Sequence, residues 1–287
     1  MQTKTLKTNM LNLLFRLPLV CAALTAVTGS LPAATGVILI DQGAAMAGNV
    51  TPGDAPGFPV TISQPGSYRL TGNLTVPDEN TTAILITANS VTLDLDGFTV
   101  SGPVTCTGSP ITCSAGGSGI GIQANGTQTV GLSAVRIRNG SVHGMGNNGV
   151  QLTGTGTSVE KVTAYGNSAG GIAATTVIDS EAVQNGSFGF LATSVRNSTS
   201  SQNGGDGIIL NGQGGVASSN LSSFNAGYGI WAPYGTIMGN SVFLNSQSGI
   251  LVHCPASIIA NTVVSSNADN VRTNGSGCII LNGTSQP

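Results

Sequence analysis

Charge is scarce in this chain of 287 residues: Lys, Arg, Asp and Glu together make 7%, the formal net charge is −2, and there are two histidines. Without a basic field, neither nucleic acid nor an anionic membrane surface is an expected partner. A strongly anionic polymer would also meet little long-range attraction. Long helical stretches and a dense leucine signature are missing, which excludes leucine-rich, ankyrin and helical-hairpin arrays. Aromatic residues make 4%, with a single tryptophan. The five cysteines have no accompanying histidine spacing, so no metal site and no cofactor is expected. What the chain has in quantity is glycine, 42 residues, among short runs of Val, Ile, Thr and Ser. That composition suits strands and turns.

The stretch from Val159 to Val271 repeats itself. An asparagine is followed four residues later by glycine and then by an aliphatic or aromatic residue: Asn167 with Gly171-Ile172, Asn185 with Gly189-Phe190, Asn203 with Gly207-Ile208, Asn225 with Gly229-Ile230, and Asn245 with Gly249-Ile250. A degenerate copy begins at Asn267, and successive asparagines lie 18, 18, 22, 20 and 22 positions apart. Self-similarity at this period means a solenoid, in which one short unit stacks on the next.

Alternation within each unit sorts inside from outside. One inward column is Ile172, Phe190, Ile208, Ile230 and Ile250, and a second is Ala174, Ala192, Leu210, Ala232 and Val252. A third, eight residues before each asparagine, is Val159, Val177, Val195, Ala217, Ile237 and Ile259. Three inward columns per turn describe a coil around a narrow apolar axis, with rungs about 4.8 Å apart. The asparagines are expected at corners, where Asn tolerates left-handed backbone and its amide can bond the next coil. The glycines are expected to supply positive φ as the chain re-enters a strand. Asp179, Asn197 and Ser219, then Asn240 or Asn261, suggest a second corner.

The N-G-x-x-G-I repeat, together with Ser90-Val-Thr-Leu-Asp-Leu-Asp-Gly-Phe-Thr-Val100, resembles the pectin-lyase-like superfamily of right-handed parallel β-helix proteins over roughly residues 60–283. The expected fold is therefore all-β, a single right-handed parallel β-helix of about eight coils with an N-terminal cap. The resemblance implies an association with polysaccharides, through binding or through lyase, hydrolase or epimerase chemistry. It specifies fold far better than activity. Family catalytic patterns are missing: there is no Asp-Pro-His and no cluster of aspartates for calcium. Val142-His-Gly144 and Arg136-Ile-Arg138 echo a polygalacturonase pattern in the wrong order.

Four regions follow. Residues 1–47 read as an export signal and leader, with basic Lys4, Lys7 and Arg16, an apolar core Leu17–Val27 and a small-residue site Ala45-Met-Ala47; a site near Gly29 or Ser30 is the alternative. The apolar run is too short for a membrane span, and a periplasmic or extracellular location is expected. Residues 48–83 are a leading segment and cap, in which Val60–Val76 reads as two strands about Pro65-Gly66; 84–283 are the β-helix, and 284–287 a tail. An even set of cysteines remains after the leader: Cys106, Cys113, Cys254 and Cys278. Three pairings are open, and the local one, Cys106 with Cys113 and Cys254 with Cys278, requires the least rearrangement.

Two candidate sites emerge. Arg136, Arg138, His143, Glu160 and Lys161 form the densest charged area, near Asp179 and Glu181. A lyase would need a base, for which Lys161 or His143 could serve, and a cation such as Arg136 or Arg138 beside a uronate carboxylate. The same charges also suit an ion-pair ladder. Asp94 and Asp96, which alternate with Leu93 and Leu95, read as structural. The second candidate is an outward column: Ala173, Leu191, Ile209, Trp231 and Leu251, preceded by Gln151, ended by Arg272 and flanked by Tyr228 and Tyr234. A stacked apolar stripe marks a covered surface or a partner site. A loop or residues 31–58 could cover it, a second copy could pair along it, or a sugar could stack on its rings.

Overall fold

Short runs of Val, Ile and Thr place alternate side chains on opposite faces of a strand, and stacking those strands buries one face of every run. The computed structural model describes residues 36–125, 131–264, 269–281 and 284–286. They form a right-handed β-solenoid with three parallel sheets.

Val60–Ile62 and Ile84–Ile86 begin the first sheet. Ten strands follow one another in it among the described residues, and their central residues stack in register: Thr61, Leu85, Gln123, Gln151, Ala173, Leu191, Ile209, Trp231, Leu251 and Arg272. The solenoid thus has about ten coils rather than eight. Part of the difference lies in 60–76, expected as a cap: its strands pair in parallel with Ile84–Ile86, Val91–Asp94 and Thr99–Ser101, so it is the first coil. A second sheet runs from Val37–Ile40 and Gly66–Leu70 to Ile279–Leu281, and a third from Leu74–Thr75 to Thr284–Gln286.

The leader boundary also moves. Val37–Ile40 pairs with 67–70, and the helix Gln42–Ala47 buries Ala45 in the core with Ile40 and Leu70. Asp41 caps this helix, its carboxylate accepting from the Ala44 N–H at 2.7 Å. Cleavage after Ala47 would remove a paired strand and its covering helix, so 37–47 belongs to the fold. The alternative site near Gly29, like the basic and apolar parts of the leader, lies outside the described residues.

The expected inward columns are buried, with one change of register. Val159, Val177, Val195, Ala217 and Ile237 stack, but the column continues at Ile258, 1% exposed, while Ile259 faces outward beside Met238. Counting back eight from Asn267, which lies outside the described residues, falls one position short because the spacing changes in that coil.

Both corners are sharper than the repeat suggested. The residue in the left-handed region is the one before each asparagine: Gly166, Gln184, Gln202, Phe224 and Leu244, with φ between 54° and 60°. The asparagine itself turns inward and builds a buried ladder. Asn167 Nδ2 donates to Asn185 Oδ1 at 2.9 Å, Asn185 Nδ2 to Asn203 Oδ1 at 3.0 Å, and Asn203 Nδ2 to Asn225 Oδ1 at 2.9 Å; Asn225 Nδ2 then donates to Asn245 Oδ1 at 2.9 Å. At the other corner Asp179, Asn197 and Ser219 are the exposed left-handed residues. The buried ladder there runs one position later, through Ser180, Ser198, Asn220, Asn240 and Asn261.

The glycines Gly171, Gly189, Gly207, Gly229 and Gly249 do not have positive φ. The first four are required for space. A Cβ on Gly171 would stand 2.7 Å from the Gly189 carbonyl oxygen and 2.9 Å from both Ala182 Cβ and Asn185 Nδ2. The ladder and its glycine column are thus one packing unit.

Both local disulfides form, Cys106 with Cys113 and Cys254 with Cys278. The first closes an antiparallel hairpin lying over the asparagine corner, where Cys106 Sγ approaches the Gly166 carbonyl at 3.3 Å. The second ties adjacent coils.

Candidate functional site

Three outward columns share the face of the first sheet. The central one holds Gln151, Ala173, Leu191, Ile209, Trp231 and Leu251. Three residues earlier in each coil stand Asn148, Gly170, Phe188, Asp206, Tyr228 and Ser248, aligned by hydrogen bonds from each following glycine N–H to the next coil's carbonyl. Two residues after the central column come Thr153, Thr175, Thr193 and Asn211. The arrangement is an apolar and aromatic strip with polar side chains along its margins.

The strip is half-buried rather than open, and Leu251 is only 6% exposed. At a rung spacing of about 4.8 Å, large side chains in one column cover each other. The 106–113 hairpin and the described part of the N-terminal segment, residues 36–58, lie elsewhere. Residues 49–63 fold onto the first rung, with the Thr51 hydroxyl donating to the Thr61 carbonyl at 2.6 Å. Leu191 is five rungs farther on, or about 24 Å at that spacing. The 106–113 hairpin lies at the asparagine corner, where its tip lines a recess with Gln202, Phe224 and Ser246.

Tyr228 and Trp231 belong to the same coil and the same face, but Tyr234 does not join them. It follows Pro233 around the turn and lines a separate recess of about 490 Å³ with Gln213, Pro255 and Ile279. Asp206, Phe188 and Asn148 are functional candidates that the repeat of asparagine and glycine does not single out. The repeat alignment holds their signal, since all three share one slot. Asp206 Oδ1 accepts from the Tyr228 N–H at 2.7 Å, as Asn148 Oδ1 accepts from the Gly170 N–H at 2.7 Å. Burial raises the Asp206 pKa above the ordinary carboxylate value, against the opposing pull of that N–H.

The charged candidates separate into two groups. Arg136, Arg138 and Glu160 face outward on the second sheet, beside a cleft of about 470 Å³. The column of Arg138 and Glu160 alternates in sign, Arg69, Asp94, Arg138 and Glu160 standing on successive rungs, while Arg136 stands between Thr92 and Ser158. Opposite charges placed directly across a ladder stabilise the pairing. Lys161 turns the corner with φ 53° and lies 3.6 Å from Glu160. His143 is beyond the corresponding corner at Asn139, on the third sheet, stacked on Tyr165 with ring centroids 4.5 Å apart. Burial holds its pKa below the usual histidine value. The corner therefore divides His143 from the two arginines, and Glu181 stands on the His143 side, in the column of Ser141 and Thr163. Among the described residues no three His, Cys, Asp or Glu side chains gather to hold a metal ion, and no helix is long and apolar enough to cross a membrane.

No family model and no curated protein matches the chain. Solved structures do. The crystal structure of the Dettilon tailspike protein (gp208) is 14% identical with a TM-score of 0.52, covering 79% of this chain and 52% of the other; the chain thus spans about half of that tailspike's length. Two Azotobacter vinelandii mannuronan C-5 epimerase A-modules are also similar. AlgE6 is 13% identical with a TM-score of 0.48, covering 79% and 91% of the two chains, and AlgE4 is 16% identical with a TM-score of 0.43, covering 72% and 69%. At these identities the tailspike likeness concerns the fold, a parallel β-helix.

Proposed function

We propose that this protein is an exported β-helix scaffold that binds a polysaccharide along the outward face of its first sheet. One observation carries the reading: Leu191, Ile209, Trp231 and Leu251 stack in unbroken register, with Phe188, Asp206 and Tyr228 in the column on one side and Thr193 and Asn211 on the other. A repeating polymer and a repeating face suit each other. Apolar rings and side chains take the flat faces of sugars, while amides and hydroxyls take their edges. The superfamily resemblance of the repeat points to the same ligand class. Two disulfides in so small a set of cysteines accord with an oxidising location.

Retention of the purified protein on a panel of immobilised glycans tests this. Trp231→Ala should weaken retention on the glycan that the parent binds about tenfold, corresponding to ~1.4 kcal/mol. Unchanged retention on every such glycan would remove the strip from consideration.

A further inference from the structure

The outward face carries a notch where the strip begins. Gly170 and Ala173 stand in columns whose neighbours are large, so one rung is recessed between Gln151 on the preceding coil and Leu191 on the following one. The recess has a volume of about 380 Å³. Phe188 forms one wall and lies so close over Gly170 that a methyl group there would overlap its ring. The Asn148–Gln151 pair forms the opposite wall, and Thr193 and Asn211 line one margin.

The hydrogen bonds within the notch determine what it can offer. Asn148 is fixed: its Oδ1 accepts from the Gly170 N–H at 2.7 Å, and its Nδ2 donates to Gln151 Oε1 at 2.9 Å. That bond occupies the Gln151 oxygen and leaves the Gln151 amide N–H groups available. Asn211 is held the same way, its Oδ1 accepting from the Thr193 hydroxyl at 3.0 Å, so its Nδ2 is available too. The Thr153 hydroxyl donates to the Ala124 carbonyl at 2.8 Å and keeps its lone pairs for an incoming hydroxyl. The notch thus presents amide donors, hydroxyl acceptors and one aromatic wall. None of its lining residues is charged.

We infer that this notch is a subsite for a single uncharged sugar residue of the polysaccharide, seated on the Phe188 ring and hydrogen-bonded by Gln151 and Asn211. The inference rests on the proposed polysaccharide binding and adds a place and a chemical class to it. A sugar carboxylate would lose water there without meeting a cation, so uronates are disfavoured. A neutral ring exchanges its hydroxyl hydration for matched polar partners.

The test is calorimetric titration of the purified protein with neutral hexasaccharides (cello-, manno-, xylo- and galacto-series) and with hexagalacturonate and hexamannuronate. Ala173→Leu fills the notch with the side chain already present one rung later, so folding should be preserved, as an unchanged melting temperature would show. Gln151→Ala removes a donor. A neutral hexasaccharide should bind the parent and lose at least tenfold in affinity with either variant. If Trp231→Ala weakens binding while both notch variants match the parent, the subsite is wrong and the strip stands. If a uronate hexamer binds as tightly as the neutral one and Ala173→Leu weakens both, the assigned chemical class is wrong. If no hexasaccharide binds the parent, polysaccharide binding itself fails and takes the subsite with it.

Discussion

Arg138 pairs with Asp94 on the preceding coil and not with Glu160 on the following one. Its Nη2 lies 3.0 Å from Asp94 Oδ2 and its Nε donates to the same oxygen at 3.1 Å, although Glu160 faces it directly across the ladder. The choice follows from what else surrounds each carboxylate. Asp94 is nearly buried and also accepts from the Asn139 amide at 3.0 Å and the Asp96 N–H at 3.0 Å. It fastens a corner whose Asn139 and Asp96 both have positive φ. Glu160 is exposed and lies nearest Lys161.

Asp94 therefore gives the fold an acid-sensitive point. Burial pushes its pKa up, but the Asn139 amide, the Asp96 N–H and Arg138 outweigh that and hold it below the ordinary value. A depressed folded-state pKa stabilises the protein above the unfolded-state pKa, and the contribution is lost as pH falls through the folded one. Melting temperature measured down through the carboxylate range should fall less steeply in Asp94→Asn than in the parent.

Asp206 should behave in the opposite sense. Its raised pKa means that folding favours the protonated form, so the residue costs stability above its folded pKa and nothing below the unfolded one. Asp206→Asn keeps the acceptor for the Tyr228 N–H, as Asn148 does for Gly170. The variant should melt higher than the parent at neutral pH. The two should converge in acid.

Asn203→Ala should be among the most damaging single changes. Its two amide hydrogens are shared among the Ala182 carbonyl, Ser200 Oγ and Asn225 Oδ1, and its oxygen accepts from both the backbone and the side chain of Asn185. Removing it strands buried partners on two neighbouring coils, at a cost of about 2–4 kcal/mol. Urea denaturation measures it.

Gly171→Ala should destabilise by about 1–3 kcal/mol through overpacking, because the added methyl meets backbone and the ladder rather than a movable side chain. Thermal unfolding is the readout. Relief of φ strain plays no part, since Gly171 does not have positive φ.

The solenoid was legible in the sequence because its signal is repeated: Ile172, Phe190, Ile208, Ile230 and Ile250 sit at one slot five times, and all are buried. Details within a slot were harder to read. Two adjacent polar residues at a corner look alike in sequence, yet one takes the left-handed turn and the other enters the ladder, as with Ser219 and Asn220. A repeated glycine likewise signals either conformational freedom or close packing, and only neighbouring coils decide which. His143 parts from the charged cluster for a related reason. His143 is five residues from Arg138 along the chain, but a corner intervenes and sends the two onto different sheets. The strip was read correctly as a column, whereas the notch in it depends on which neighbours are small, Gly170 and Ala173 between larger residues. Sequence reasoning had aligned the slot that holds Ala173 but not the one that holds Gly170, Phe188 and Asp206.

The even spacing of Asn167, Asn185 and Asn203, 18 positions each, makes the molecule's length a quantised property. Excising residues 173–190 would join Ile172 to Leu191 and leave every surviving side chain opposite one of its own slot, Gln151 now meeting Leu191. Cutting half as many would turn the interior outward. Changes that keep the rungs in register therefore come as whole turns or as extra residues placed at the turns between strands, as the coils of 18 to 22 residues show, and a chain of this kind can gain or lose length without inventing a new surface.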